Sequence, residues 1–548
     1  MVTGFTRIVA ALALLCWPAL AADNPYLPAR DPAPILAAIE KEAPDFAPPA
    51  GVTGISVPHH LLAADLIARG FWAASAGRYS RIIVISPDHF HKVTKPFGTT
   101  RETLETVFGP MAPDLAAIDA LAADERVELL DTIETEHGVM AVMPFVRRFF
   151  PAAEVVPLLA SVNAKPEDWR TMAAALLPLV TPDTLVVQST DYSHYRTYAE
   201  AIARDQETLA VVATGDPEGV VPLLQPAHMD SKAAQYIQMA LQGAAGAHPV
   251  VLANANSVDY GSSIGSTTSY IVTAWLRDTN DGAGLAYADQ SRVMFGGDVL
   301  LGRYFLPALR DPSSWGRLRD TVLAATQGTS LIVNLEGVLL DGPVTGVDFN
   351  THVMVTADAA PIIAALNIGA ASLANNHAND LGPEGRAETR RLLDALDVAA
   401  MEHGALTDLG AFRLLPLNFV GGKFIGEAIA DPEALDWVCD LDAAPPLVAF
   451  LHWGKEYVGA SDKERRIAET LARCGVSLIV GAHSHQASER IEVLRGGAAQ
   501  LAYSLGNFIF DQSAPRGSGT LLELRVFRQG TIAVRLVPIP NLFDLTKP

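Results

Sequence analysis

Cysteine is scarce in this chain and positive charge is in deficit. The 548 residues include three cysteines, and 40 Lys and Arg stand against 61 Asp and Glu, a formal net charge of −21. That balance excludes a nucleic-acid partner or an anionic membrane surface, because nothing offsets phosphate. It does not exclude a local cationic metal site. No CxxC or Cys-rich pattern exists, so thiolate metal centres are excluded. No P-loop or other ATP-binding signature is present, so the chain cannot activate a carboxylate by itself. No internal repeat is visible.

Long apolar runs are also missing. The longest, Ile8 to Leu20, has 13 residues, too few for a bilayer span of about 20. With Arg7 before it and Ala19-Leu20-Ala21 at its end, residues 1–21 read as a secretory signal. The expected location is secreted or periplasmic, with no integral span after cleavage. Removing the signal leaves Cys439 and Cys474, which could pair in an oxidising compartment or remain two buried thiols.

What is present is a globular composition, 18% charged and 49% hydrophobic, in a chain long enough for more than one core. Strand-like runs alternate with helix-period stretches, so the expected class is α/β. The Pro/Ala-rich residues from 24 lead into a first domain reaching 276. A turn-former cluster in 277–290 reads as a linker, and 291–548 form a second domain.

Chemistry gathers at predicted strand ends. In the first domain His59 follows Val57-Pro58, His89 follows Ser86-Pro87-Asp88, and His194 follows Thr190-Asp191-Tyr192-Ser193. His137, after Glu136, opens a helical run. The carboxyl edge of a parallel sheet is where open α/β folds bind ligands, so these four histidines define a candidate pocket.

In the second domain Arg292-Val-Met-Phe-Gly-Gly ends at Asp298, and Leu331-Ile-Val-Asn-Leu at Glu336. Ala371-Ser-Leu-Ala-Asn ends at Asn376-His377, and Pro446-Leu-Val-Ala-Phe-Leu at His452. Leu478-Ile-Val-Gly-Ala ends at His483-Ser-His485. A sixth run, Ala499 to Leu505, leads to Gly506-Asn507. Two carboxylates, one amide and four imidazoles suit zinc, manganese or iron better than soft copper. Seven donors exceed one tetrahedral site and suit a pair of ions about 3.5–4 Å apart.

Two resemblances follow from these motifs. Pro58-His59, Ser86-Pro87-Asp88-His89, Glu136-His137-Gly138 and Ser189 to Tyr195 resemble the Memo family (AmmeMemoRadiSam system protein B), whose fold is similar to class III extradiol dioxygenases. The resemblance implies a pocket at His59, His89 and His194, a candidate metal or small-ligand site. Some members of the family have a cysteine near the domain's end, where this chain has Asn254 to Tyr260. It often has a glutamate where Met140 stands.

Gly297-Asp298, Asn334-Leu335-Glu336-Gly337, Asn375-Asn376-His377 with Asp380, His452-Trp453-Gly454, His483-Ser484-His485 and Gly506-Asn507 resemble the CapA family of poly-γ-glutamate capsule biosynthesis. That family has a calcineurin-like metallophosphatase fold. The resemblance implies that Asp298, Glu336 and His485 hold one ion and Asn376, His452 and His483 a second, with Glu336 bridging. His377 would be the general acid, oriented by Asp380. Arg303, Lys455 and Asn507 would meet an anionic substrate. Leu300 stands where the wider fold has a histidine, Glu336 where it has aspartate, and residues 402–444 look compressed.

The implied activity is metal-dependent hydrolysis of a phosphoester or an amide-linked polymer, alongside envelope polymer-synthesis partners. Two other readings stay open: a non-catalytic scaffold of polymer synthesis or export, and redox metal chemistry in the Memo-like half.

Overall fold

The structure is a computed structural model that describes residues 31–278, 280–342, 351–422, 428–442, 444–514, 516–517 and 519–547. The expected signal at 1–21 lies outside the described residues.

In the N-terminal region nine strands form one sheet. Its centre is parallel: Arg81–Pro87 pairs with Thr184–Ser189, which pairs with Val52–Val57. The run Ile82-Ile83-Val84-Ile85 is fully buried, as expected of a parallel strand covered on both faces. Helix Ala64–Ala74 packs its Leu66, Ile67 and Phe71 on one face. Helices Pro166–Leu176 and Lys232–Ala244 cover the other with Met172, Leu176, Ile237 and Leu241. Because the three central strands are adjacent and parallel, the segments carrying His59, His89 and Asp191 leave the sheet at one edge. Helix Pro166–Leu176 has a well-defined start. Pro166 occupies its first turn, and Asp168 accepts the Lys165 N–H at 2.8 Å, so the helix starts at that cap.

Among the described residues, the C-terminal region has a separate two-stranded ladder, Val338–Leu340 with Val353–Val355, and two large packed sheets. One has seven strands, with Gln290–Val299, Leu331–Leu335, Ile368–Ser372 and Ala399–Met401 parallel, and Gly519–Phe527 and Ile532–Ile539 closing it antiparallel. The other has six, with Arg413–Asn418, Leu447–His452, Val476–Ala482 and Ala499–Ala502 parallel. The core between them takes Phe295, Ile332, Val448, Phe450, Leu478, Val480 and Leu522. Helices cover both outer faces: Leu318 and Val322 of Pro312–Thr326 on the first sheet, Ile467 and Leu471 of Asp462–Arg473 on the second. The class is α/β in both halves.

The sequence suggests one sixth strand from Ala499 into Asn507. The chain instead changes sheets there. Ala499–Ala502 belongs to the six-stranded sheet, and Asn507–Ile509 pairs with Gln290–Val299 in the other. Glycine makes the crossing feasible. A Cβ on Gly297 would sit 1.9 Å from the Gly506 carbonyl oxygen, and one on Gly481 would sit 1.8 Å from that of Tyr503. Both contacts lie beside predicted ligands. Cys439 and Cys474 are joined in a disulfide.

The halves meet along helix Tyr198–Thr214, which covers the edge strand Ile532–Ile539. Gln206 exchanges two hydrogen bonds with Ile532, at 3.1 and 2.8 Å, so its amide acts as a partner for an otherwise open edge.

Candidate functional sites

The C-terminal cluster sits where the two sheets splay at their strand ends. Asp298 is fully buried and receives the Asn334 amide at 2.7 Å and the His483 backbone N–H at 3.2 Å. His485 lies with Nδ1 3.2 Å from Asp298 and 2.7 Å from the Asn507 amide oxygen. His452 has Nε2 2.7 Å from Asn376 Oδ1 and 3.7 Å from Glu336. Ligand atoms of Glu336, His452 and His483 all lie within 4.8 Å of one another. His483 and His485 both adopt left-handed backbone, at φ 82 and 55°, the splay that lets two histidines one residue apart face the same space.

The electrostatics are those of a cation site. Burial and the Asp298 charge raise the Glu336 carboxyl above its ordinary range. Burial pushes His483 down to about 4 and His452 well below its usual value. For His485 burial is outweighed by Asp298, which lifts it to about 9. Glu336 Oε2 and His483 Nδ1 are buried with no hydrogen-bond partner. Buried polar atoms are normally satisfied, and a divalent ion with oxygen and nitrogen ligands would satisfy both.

The other predicted residues lie around this core. His377 Nδ1 is 3.0 Å from Asp380. Arg303 is bound to Asp511, with Nη2 2.6 Å from the carboxylate, so its charge is already paired. Asn507 spends its oxygen on His485 and its amide N–H on Gln512. Lys455 is exposed. Sequence reasoning missed Asn334, which also reaches His452 at 3.1 Å, and His352 and Asp511. Asn334 stands inside a strand and His352 opens one, so neither follows a strand end.

The N-terminal cluster brings together His59, His89 and His137, whose ring nitrogens lie within 4.8 Å of one another. Glu136 holds His89 twice, at Nδ1 (2.6 Å) and at the backbone N–H (3.0 Å), leaving Nε2 for a ligand. A carboxylate that sequence reasoning missed completes the group. Asp230 Oδ2 lies 3.1 Å from His59 Nε2 and 3.6 Å from His89 Nε2. For His89 burial is outweighed by Asp230 and Glu136, and it rises to about 10. Burial and the neighbouring histidines press His137 down to about 3. Asp191 Oδ2 and Asp230 Oδ1 are buried without partners, so this donor set also fits a cation. His194 directs Nδ1–H to the Tyr192 carbonyl at 2.6 Å. Asn254, near the family's expected cysteine, is not in the pocket; it binds Asp205 at the seam between the halves.

Two α/β units, each closing parallel strands on a buried cluster of imidazoles and carboxylates, define a tandem of metal-competent domains. The comparisons specify them. Residues 33–273 match the family described as Memo-like protein, and residues 292–411 and 425–512 match Bacterial capsule synthesis protein PGA_cap. The chain is a fusion of a Memo-like domain with a PGA_cap domain. It is 26% identical over 280 residues to the PGA biosynthesis protein CapA of Bacillus subtilis, covering 46% of this chain and 72% of that protein. It is 34% identical over 134 residues to a MEMO1 family protein of Thermus thermophilus, covering 22% of this chain and 40% of that one. A crystal structure of a hypothetical protein from Thermus thermophilus aligns at 17% identity with TM-score 0.30, over 46% of this chain and 100% of that one.

Proposed function

We propose that the protein is exported and that its C-terminal domain is a metal-dependent hydrolase acting on an anionic polymer or phosphoester in capsule biosynthesis, with poly-γ-glutamate the polymer that the CapA relative suggests. The observation that carries this reading is the orphaned pair Glu336 Oε2 and His483 Nδ1 among five buried metal-competent groups, with half-buried Asn376 beside them. Asp298, Glu336 and His485 would hold one ion, and Asn376, His452 and His483 another. Bound divalent ions would supply Lewis acidity and lower the pKa of water.

The chain's own groups do the rest. His377 gives its Nδ1–H to Asp380 and holds a proton at Nε2. As the bond from water oxygen to phosphorus forms and the bond to the departing alcohol breaks, that alcohol takes the Nε2 proton, the attacking water releases one proton to solvent, and solvent returns a proton to His377. Exposed Lys455 offers charge to an incoming anion. The disulfide supports export, since such bonds persist in oxidising compartments.

The test is metal content of the mature protein together with turnover of a generic phosphodiester. About two Mn, Fe or Zn ions bound by the C-terminal domain, lost with turnover in Glu336→Ala, is the expected result. A folded Glu336→Ala with unchanged metal content would move the reading to a scaffold.

A further inference from the structure

His352 occupies a place prepared for it. Strand Val353–Val355 runs parallel to Val338–Leu340, directly after Glu336-Gly337, and Val338 N–H donates to the His352 carbonyl at 2.8 Å. Two glycines admit this backbone. A Cβ on Gly302 would lie 2.2 Å from the Val353 oxygen, and one on Gly337 would lie 2.8 Å from the His352 oxygen. Gly337 directly follows the predicted ligand Glu336 and Gly302 directly precedes Arg303, so the segment is seated against the C-terminal centre.

The residue is held at its ring face, its backbone and Nε2, while Nδ1 is buried with no hydrogen-bond partner among the described residues. Its ring lies 3.6 Å, centroid to centroid, from that of His377, at 32°. Its backbone N–H donates to Asp380 Oδ2 at 3.0 Å, the same oxygen that His377 Nδ1 reaches at 3.0 Å. Arg303 Nη1 donates to His352 Nε2 at 2.5 Å, and Arg303 is itself held by Asp511. A nitrogen that accepts from guanidinium carries a lone pair, so His352 is the neutral tautomer with its proton on Nδ1. A neutral ring can stack on a protonated His377 without like-charge repulsion. The nearby guanidinium also makes the trio His352, His377 and Asp380 a poor place for a third cation.

We propose that His352 is a positioning residue for His377: it braces the ring face and shares Asp380, and so fixes the direction in which His377 presents Nε2 to the departing oxygen. This rests on reading the C-terminal cluster as a hydrolytic centre with His377 as its acid. A residue that acts only through the acid matters in proportion to how much the leaving group needs a proton.

The experiment uses the full chain loaded with Mn(II) and a series of aryl phosphodiesters whose leaving phenols run from p-nitrophenol to phenol. His352→Ala should lose about tenfold in kcat on the phenyl substrate, with the loss shrinking as the phenol becomes more acidic, and with KM and bound Mn unchanged. His352→Phe, which keeps a ring to stack, should fall between the two. A loss equal across the series, or a loss of Mn, would overturn the proposal. Should the wild type hydrolyse none of the series, the hydrolase reading fails, and positioning is then judged from crystal structures of the wild type and His352→Ala. Departure of His377 from Asp380 would support it, and an unmoved His377 would overturn it.

Discussion

Nε2 of His59 lies 3.1 Å from the carboxylate of Asp230, both shut away from solvent. The carboxylate arrives from the loop before helix Lys232–Ala244, far from any strand end. With His89 it makes two imidazoles and one carboxylate, a ligand set typical of non-haem iron(II) with open positions. Asp230→Ala should therefore abolish N-terminal Fe(II) binding. Glu136→Gln, which loosens His89 without removing a ligand, should weaken it by about 10–100-fold. Both are measured on the full chain in a Glu336→Ala background, so that the second cluster does not obscure the result. Unchanged iron affinity in Asp230→Ala would mean that the carboxylate only orients His59.

Asp230 also shows where sequence reasoning stops. A candidate ligand that ends a buried β-branched run is visible, because the run is readable and the sheet edge is where such residues meet. His59, His89, Asp298, Glu336, His452, His483 and His485 were all legible on that ground. Asn334 and His352 have no such marker, since only tertiary packing brings them to the centre. The crossing at 503–506 was hidden for a related reason. An apolar run ending in Gly-Asn reads as one strand, and only the close approaches at Gly297 and Gly481 reveal the change of sheet. The α/β class was readable because alternation of elements is a property of the whole chain.

The disulfide closes a loop that contains His452 and Lys455. Cys439 lies in the turn Asp436–Asp440, and Cys474 caps helix Asp462–Arg473, 35 residues later. In the chain-entropy model a loop of that length contributes about 4 kcal/mol. Cys439→Ser with Cys474→Ser should lower the unfolding temperature of the C-terminal domain, and a reductant should reproduce the loss in the wild type alone. A wild type insensitive to reductant, as followed by thermal unfolding, would show that the bond adds nothing to native stability.

Asp205 should make the seam between the halves pH-sensitive. It is fully buried on helix Tyr198–Thr214 and accepts from Ser269 (2.5 Å), Asn254 (2.8 Å) and, across the seam, Gln529 (3.4 Å). Burial raises its carboxyl from 3.8 to about 7, and these hydrogen bonds only partly offset it. The folded value exceeds the unfolded one, so the contribution is complete below about pH 4 and is lost as pH rises through about 7. Over roughly three pKa units it amounts to about 4 kcal/mol. Asp205→Asn does not titrate, so the wild type's stability relative to it should decline from pH 4 to pH 8. Urea unfolding across that range is the measurement, with hydrogen exchange in helix Tyr198–Thr214 locating the change. A difference that stays flat with pH would mean that Asp205 is ionised throughout, held by its three donors against burial.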